Sequence, residues 1–422
     1  MRRCRLLNTK NTYYDVIVIG GGPAGCAAAG QIAQKGYRVL VAEEHPVIGE
    51  PVQCAGLVSP RTLRTAGLGA DLVLNRLYGA YVHAPGGECL TIRGKKERAL
   101  VIDRAAFDRR IAERARGAGV EILTGARAGP GGLLPEAVNV NIGRRGREFT
   151  ARARLLIGAD GIGSGVAAGI RAGAPAQVVR MYAAEVELKC PEQRMARIFL
   201  GREIAPGWFG WIVPVDENHA RVGVGAAGGR SKHPLLYLNK LVEAYPAFFK
   251  GMKVVRRTGG AVPIGPIPRI YAERTLLVGD AAGQVKPISG GGLYLGLTGA
   301  KLCASTAVRA LSTGDLSARA LAAYQELWER EMAEEIKIAL AHREIYLTLS
   351  DPELNTLIGF FSRSFWQCVI SRYADIDYPS LLAGKLSFAR PWAEKFLAAG
   401  LQKTLGRSPE AKTKEEAFSP GF

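Results

Sequence analysis

A β-branched, apolar run, Tyr14-Asp15-Val16-Ile17-Val18-Ile19, leads directly into Gly20-Gly21-Gly22-Pro23-Ala24-Gly25. No other feature restricts the possible folds of this chain as much. The apolar run reads as a parallel strand buried on both faces. Gly20, Gly22 and Gly25 allow a tight turn and a close approach of backbone to a bulky anion. Cys26 to Lys35 then reads as a helix whose N-terminal N–H groups and dipole face that anion. Tyr37 to Ala42 is the second strand. Glu43 follows about 20 residues after the glycines, where a carboxylate accepts hydrogen bonds from ribose hydroxyls. A glycine turn without a ligand would have no need of that acid.

Two later segments extend the site. Gly158-Ala159-Asp160-Gly161 ends the apolar run Leu155-Leu156-Ile157, and Gly279-Asp280-Ala281-Ala282-Gly283 ends another at Thr275 to Gly279. In this order the three elements describe an FAD site assembled from distant parts of the chain. Asp280, at a strand end, is placed to bind a ribityl hydroxyl. Beyond it, Gly290-Gly291-Gly292 opens a helix whose first N–H groups, at Gly291, Gly292 and Leu293, can face the pyrimidine side of a flavin and favour negative charge on its reduced ring. Arg104 starts a helix and can hold phosphate or sugar; Asp160 either bridges backbone near the cofactor or stabilises a turn. Only one dinucleotide fingerprint is present, so no separate nicotinamide domain is expected.

Composition narrows the class. With 422 residues and 48% hydrophobic content, the chain is long enough for more than one domain and a large core. The seven cysteines are dispersed without a C-x-x-C pair, which argues for a reducing cytoplasm and against a disulfide framework, a zinc site or a cysteine-bound iron–sulfur cluster; no metal is expected. The start, Met1-Arg2-Arg3-Cys4-Arg5, has no apolar signal-peptide core. The uncharged run Val16 to Gln34 is interrupted by glycines and a proline and matches strand–turn–helix better than a membrane helix. A net charge of +18 attracts anionic headgroups, phosphorylated substrates or nucleic acid, or else marks a solvated basic surface. No recognition helix or RNA-binding aromatic motif accompanies it, so nucleic acid is not expected as a partner.

The predicted architecture is α/β plus α+β. A discontinuous Rossmann-type FAD domain takes residues 13–75, 99–175 and 268–312. A β-rich substrate domain takes 76–98 and 176–267, with strands at Tyr81–His83, Cys89–Ile92, Met181–Leu188, Ala196–Leu200, Gly210–Pro214 and Arg221–Gly225, and a helical insertion at Leu235–Lys250. Gly125 to Gly132 reads as a loop. A helical region covers 313–405, where Leu321, Tyr324, Trp328, Met332, Ile336 and Leu340 recur at spacings of three and four. Ser350-Asp351-Pro352-Glu353 reads as a helix start with a capping box. The helix that follows, with Leu354, Leu357, Ile358, Phe361 and Phe365, is expected to pack in the core rather than face lipid. Residues 1–12 form a basic leader, and 406–422 a polar, disordered tail.

A further stretch discriminates among flavoproteins. Ile48-Gly49-Glu50-Pro51-Val52-Gln53-Cys54-Ala55-Gly56-Leu57, taken with Gly210-Trp211-Ile212-Val213-Pro214 and Gly279-Asp280-Ala281-Ala282-Gly283-Gln284-Val285-Lys286-Pro287, resembles the geranylgeranyl reductase family, especially its archaeal digeranylgeranylglycerophospholipid reductases. The resemblance covers roughly Tyr13 to Gly400. Its FAD signatures are shared with the wider flavin-hydroxylase-like superfamily. It implies FAD contacts at Ala24, Glu43, Cys54, Ala55, Gly56, Arg104, Ala128, Asp280, Gly292 and Leu293. The family's sheet motif Y-x-W-x-F-P stands here as Phe209-Gly210-Trp211-Ile212-Val213-Pro214, which removes any proton-donor or headgroup role of a tyrosine hydroxyl.

The implied reaction is saturation of isoprenoid double bonds in a prenyl lipid or prenyl diphosphate, with NAD(P)H, ferredoxin or another reductant as electron donor. Such chemistry needs a positioned acid, a dry apolar channel and a fixed flavin. Phe209, Trp211 and Ile212 are the candidate channel residues. Cys54 is the candidate catalytic residue, since a protonated thiol can donate beside the flavin; its alternative is a small residue packing on the cofactor. Lipid substrate and basic charge together imply peripheral contact with the inner face of the cell membrane. The competing enzyme is a flavin monooxygenase acting on an aromatic or polyene substrate. A flavin-containing lipid carrier without turnover is the competing non-enzyme.

Overall fold

The computed structural model describes residues 13–227 and 233–382; the expected leader, the tail and the last part of the helical region lie outside the described residues. An eight-stranded sheet forms the first layer. The strands Thr275–Leu277, Arg147–Gly158, Tyr13–Ile19, Val39–Glu43 and Glu121–Thr124 lie side by side in parallel, in that order. Val16, Ile17 and Val18 are fully buried, as strands covered on both faces require. Burying each such side chain is worth about 1.5–3 kcal/mol. The glycine-turn helix spans Pro23–Ala33, starting earlier than expected because Pro23 suits a first helical position. It packs closely on the helix Arg104–Gly117, where a Cβ on Gly30 would lie 3.3 Å from Ala115 Cα.

The segment read as a loop at Gly125 to Gly132 is in fact the strand Ala126–Leu133. It pairs antiparallel with Val138–Arg144, with a register shift at Asn139/Val140. The hairpin extends the first sheet and carries Ala128 to the site.

A seven-stranded sheet forms the second layer. Its order is Lys253–Ile264, Gln177–Glu187, His219–Ala227, Gly210–Pro214, Met195–Phe199, Gly79–His83 and Cys89–Arg93. Side chains alternate between its faces. Val179, Ala196, Trp208, Trp211 and Val213 form a core on the side toward the first layer. Ala184, Phe199, Ile212, Val222 and Val224 pack on the other side with Leu238 and Leu241 of the helix Pro234–Ala244. That helix is shorter than expected. Pro246 begins a separate 3-10 turn at Pro246–Phe248. A small sheet of Leu57–Val58, Ala99–Ile102 and Val73–Leu77 joins the layers.

The helix Ala318–Thr348 buries Leu321, Tyr324, Trp328, Met332 and Ile336, so the predicted helical period marks its packed face. Arg343 is buried from the same helix. It donates to Gln177 Oε1 at 2.8 Å and to the Gly207 carbonyl at 3.1 Å, which ties the helix to the second sheet. The capping box is present: Ser350 N–H donates to Glu353 Oε2 at 2.8 Å. Of the residues expected in the core of that helix, Leu354 and Ile358 are buried, whereas Phe365 lies on the next helix, Ser364–Tyr373, and is 62% exposed. Among the described residues no helix is long and apolar enough to cross a membrane, and no cluster of three metal-ligating side chains occurs.

Candidate functional site

The two layers enclose one large cavity of about 1420 Å³. That exceeds the roughly 300–1,000 Å³ typical of a small-molecule pocket, leaving room for a cofactor and a second ligand. Gly20, Gly22, Ala24, Gly25, Glu43, Cys54, Ala55, Arg104, Ala128, Asp280, Gly291, Gly292, Leu293, Phe209 and Trp211 all line it.

The glycine turn has two kinds of glycine. Gly20 has φ +106°, and a Cβ there would lie 2.2 Å from the Ala159 carbonyl oxygen; a Cβ on Gly25 would lie 2.3 Å from the Gly20 carbonyl oxygen. These positions shape the turn itself. Gly22 has φ −67° and nothing within 4 Å of a Cβ, so its missing side chain leaves open space at the head of the helix, where no side chain caps the N–H groups. That cradle suits a pyrophosphate. Glu43 Oε2 accepts from Gly21 N–H at 2.7 Å, and its Oε1 accepts from His45 N–H at 2.9 Å, which aims the carboxylate beside the cradle.

Asp280 sits on a 3-10 turn, Gly279–Ala282. Buried Gln284 fixes this turn, accepting from Gly279 N–H at 2.8 Å and donating to Tyr324 Oη at 2.8 Å. Desolvation pushes the Asp280 carboxyl up to about 6, against the opposing pull of Arg104. A Cβ on Gly292 would lie 2.8 Å from Asp280 Oδ1. The acid and the glycine loop are therefore adjacent, and the helix Leu293–Thr313 starts from that loop without a side-chain cap. Ser289 Oγ, buried in this loop, finds no partner among the described residues, as a group facing a polar cofactor would.

Asp160 accepts from Ser164 Oγ at 2.5 Å and from Val166 N–H at 3.2 Å, so its observed bonds are those of a turn stabiliser at the cavity edge. Arg104 pairs with Asp108 at 2.8 and 3.0 Å and lies within reach of the Cys54 thiol. The Cys54 segment is held from both layers. Thr258 Oγ1 donates to the Val52 carbonyl at 2.8 Å, and Arg221 Nη1 donates to the Ala55 carbonyl at 2.9 Å.

Two expected contacts are corrected. Gly56 does not line the cavity; a Cβ there would lie 2.3 Å from Arg221 Nη1, so the glycine admits the arginine that pins its neighbour. Ile212 also lies elsewhere. The pleat sends Trp211 and Val213 to the cavity face, while Ile212 packs beneath the sheet with Leu238 and Leu241. Trp208 takes the place expected for Ile212. Gly223 and Gly225 make slots for the two indoles: Cβ atoms there would lie 2.3 Å from Trp211 Cζ2 and 2.1 Å from Trp208 Cδ1. With Ala80, Val82, Ala183, Ile198 and Val262 they form an apolar arm that meets the glycine loop, where a Cβ on Gly290 would lie 3.2 Å from Trp208 Cζ2 and 3.5 Å from Val262 Cγ2.

Sequence reasoning did not find the groups that close the cavity's other wall. Lys286 Nζ reaches Asp377 Oδ1 at 3.0 Å, Arg61 reaches Asp375 Oδ1 at 2.8 Å, and Tyr294 and Tyr378 share a hydroxyl contact of 2.6 Å. Lys286 adjoins Pro287 in the quoted motif, which was its one available signal; the Asp375–Tyr378 partners have none.

A parallel nucleotide-type sheet and an antiparallel sheet facing each other across such a cavity define an FAD-dependent oxidoreductase of the flavin-hydroxylase-like fold. A family model described as FAD binding domain matches residues 13–233. The chain is 33% identical over 386 residues to digeranylgeranylglycerophospholipid reductase 2 of Methanothermobacter thermautotrophicus, covering 87% of this chain and 98% of that relative. It belongs to the digeranylgeranylglycerophospholipid reductase family, as the sequence resemblance implied. Its fold matches a geranylgeranyl bacteriochlorophyll reductase-like crystal structure from Thermoplasma acidophilum with a TM-score of 0.82 at 25% identity, over 92% of this chain and 99% of that one. A p-nitrophenol 4-monooxygenase from Pseudomonas putida shares the fold alone, with a TM-score of 0.68 at 19% identity over 86% of this chain and 97% of that one.

Proposed function

We propose that this reductase saturates isoprenoid carbon–carbon double bonds of geranylgeranyl chains in a prenyl lipid. The observation that carries the reading is the cavity itself, which joins the Gly22 cradle and the Gly290-Gly291-Gly292 loop to an apolar arm walled by Trp208, Phe209 and Trp211. FAD, once reduced by a donor such as NAD(P)H or ferredoxin, supplies a hydride. Gly20, Gly22, Ala24, Gly25, Glu43, Ala55, Arg104, Ala128, Asp280, Gly291, Gly292 and Leu293 hold it. A division into an FAD domain and a substrate domain built on the second sheet fits these roles.

The apolar arm excludes water and aligns one alkene at a time. An isolated alkene is a weak hydride acceptor, so a proton must reach the neighbouring carbon. Cys54 Sγ–H donates it, and the thiolate regains a proton from solvent. Cys54→Ala is expected to retain FAD and to slow alkene reduction by about 10²–10⁴-fold, the usual worth of a positioned acid. Single-turnover flavin reoxidation reads this, and wild-type rates in Cys54→Ala would remove the thiol from the mechanism.

Asp280 supplies a pH signature. Its carboxyl is pushed up to about 6, so below that pH it is mostly protonated in the protein without cofactor. Ribityl hydroxyls donating to the carboxylate favour its charged form, so FAD binding releases a proton. FAD affinity is expected to rise with pH up to about 6, by at most about tenfold per unit, and then to level off. Asp280→Asn should flatten the profile; fluorescence titration of FAD across pH 5–8 checks it.

Peripheral contact with anionic lipid on the cytoplasmic side follows from the lipid substrate and the net charge of +18. Failure to bind anionic vesicles at low salt would count against that contact alone.

A further inference from the structure

A buried ion pair backs the loop Gly290-Gly291-Gly292. Lys286 stands at the base of this loop: Gly290 N–H donates to the Lys286 carbonyl at 2.9 Å, and Lys286 N–H donates to the Gly291 carbonyl at 3.3 Å. Its side chain folds along the loop, so that a Cβ on Gly291 would lie 2.7 Å from Lys286 Cε and 3.1 Å from its Nζ. Only 12% of that side chain is exposed. A Cβ on Gly292 would meet Asp280 Oδ1 instead, so the ammonium and the acid flank successive residues of the loop.

The ammonium has a fixed partner, set back from the cavity. Asp377 Oδ1 accepts from Lys286 Nζ at 3.0 Å, and the Asp377 side chain is fully buried. Arg61 reaches its other oxygen at 3.4 Å. Lys286 lines the large cavity, whereas Asp377 lines a smaller hollow of about 190 Å³, walled by Met332 and Ile336 of the helix Ala318–Thr348. The other acids here are occupied. Asp375 accepts from Arg61 at 2.8 and 2.9 Å and from the Asp377 and Tyr378 N–H groups. Glu335, which lines the hollow, accepts from Ser380 N–H at 3.1 Å. The Lys286–Asp377 pair therefore turns its positive end to the loop and the cavity.

From this arrangement we infer that Lys286 raises the reduction potential of the bound flavin: its ammonium, anchored at Gly291 by Asp377, favours reduced FAD over oxidised FAD. Two electrons and one proton turn the neutral oxidised ring into an anionic reduced ring. A fixed cation beside the loop that holds the ring thus stabilises the reduced form more than the oxidised one, and burial strengthens the effect. The inference rests on FAD lying against this loop, and not on which bond the flavin reduces. The plainer role, in which the ion pair only closes the cavity wall, predicts a loss of stability on mutation and no change in potential.

The test equilibrates FAD-loaded protein anaerobically with a redox dye of known potential and dithionite, without substrate, and reads the constant for two-electron reduction from the absorbance of each. Wild type is compared with Lys286→Met, Lys286→Arg and the double variant Lys286→Met/Asp377→Asn. The double variant removes the buried carboxylate that the single one leaves without its lysine, so it decides the question if Lys286→Met does not fold. The constant is expected to fall at least tenfold in Lys286→Met, a drop of about 30 mV for a two-electron couple. It should fall at least threefold in the double variant and hold within threefold of wild type in Lys286→Arg. A wild-type constant in the methionine variants, or an equal fall in Lys286→Arg, overturns the inference. Methionine variants that lose flavin in both redox states overturn it too, since the lysine would then hold the loop and not set the potential. No alkene enters the experiment, so a wild type that shows the shift yet saturates no prenyl chain would defeat the reductase reading and leave this role of Lys286 standing.

Discussion

Replacing Gly20 by alanine is expected to give protein that purifies without flavin and unfolds at a markedly lower denaturant concentration. The new methyl group would sit 2.2 Å from the Ala159 carbonyl oxygen, on a backbone with φ +106°. Neither partner can yield easily. Ala159 N–H donates to the Ile19 carbonyl at 2.7 Å, and Gly20 N–H donates to the Ala42 carbonyl at 2.9 Å, so the turn is tied to the strand on either side. Left-handed strain of about 1–3 kcal/mol and overpacking of about 1–3 kcal/mol together rival a sizeable fraction of a domain's stability. Gly22→Ala is the informative contrast. Its Cβ meets nothing in the protein and its φ suits any residue, so the fold should persist while FAD affinity falls. Absorbance near 450 nm and a urea melt on both variants separate a turn that must be glycine for folding from one that must be glycine for the ligand.

Ala183→Trp is expected to keep FAD and lose reduction of twenty-carbon chains by about 10²-fold or more. Ala183 lies on the cavity face of Gln177–Glu187, in the apolar arm and away from the glycine turn. Its neighbours Ala184 and Tyr182 point the other way, into the core under the sheet. Ala183 is half-buried and packs against the cluster of Trp208, Trp211 and Val213, so an indole at position 183 fills the arm and occludes the chain, at the cost of some overpacking. A mispositioned alkene loses most of the benefit of alignment with the flavin. Wild-type turnover in a variant that retains its flavin would mean that the chain takes another route.

The parts of the fold that could be read from sequence are those fixed by local periodicity and by glycine chemistry. Tyr13–Ile19, its turn and its helix follow from β-branching, φ > 0 at Gly20 and Pro23 at a helix start, all within a short stretch. The hairpin strand Ala126–Leu133 was not legible, because Gly129, Pro130, Gly131 and Gly132 are poor strand formers. Pairing with Val138–Arg144 overrides that local preference. Ile212 faces away from the cavity because a two-residue period forbids Trp211 and Ile212 from sharing a face. Gly56 looked like a cofactor glycine, and only the fold shows Arg221 occupying its missing side chain. Arg61 and Asp375 meet across 314 positions, a contact that no spacing rule could announce.

The central claim is that FAD here delivers hydride to an isoprenoid alkene. The direct measurement is an anaerobic single turnover: protein reduced with dithionite, mixed with prenyl lipids and prenyl diphosphates, with flavin absorbance followed and products weighed by mass spectrometry. The account predicts flavin reoxidation without oxygen and prenyl chains heavier by two hydrogens for each bond saturated. A flavin that stays reduced until oxygen is admitted, with no saturated product, would contradict it and favour a monooxygenase built on the same fold.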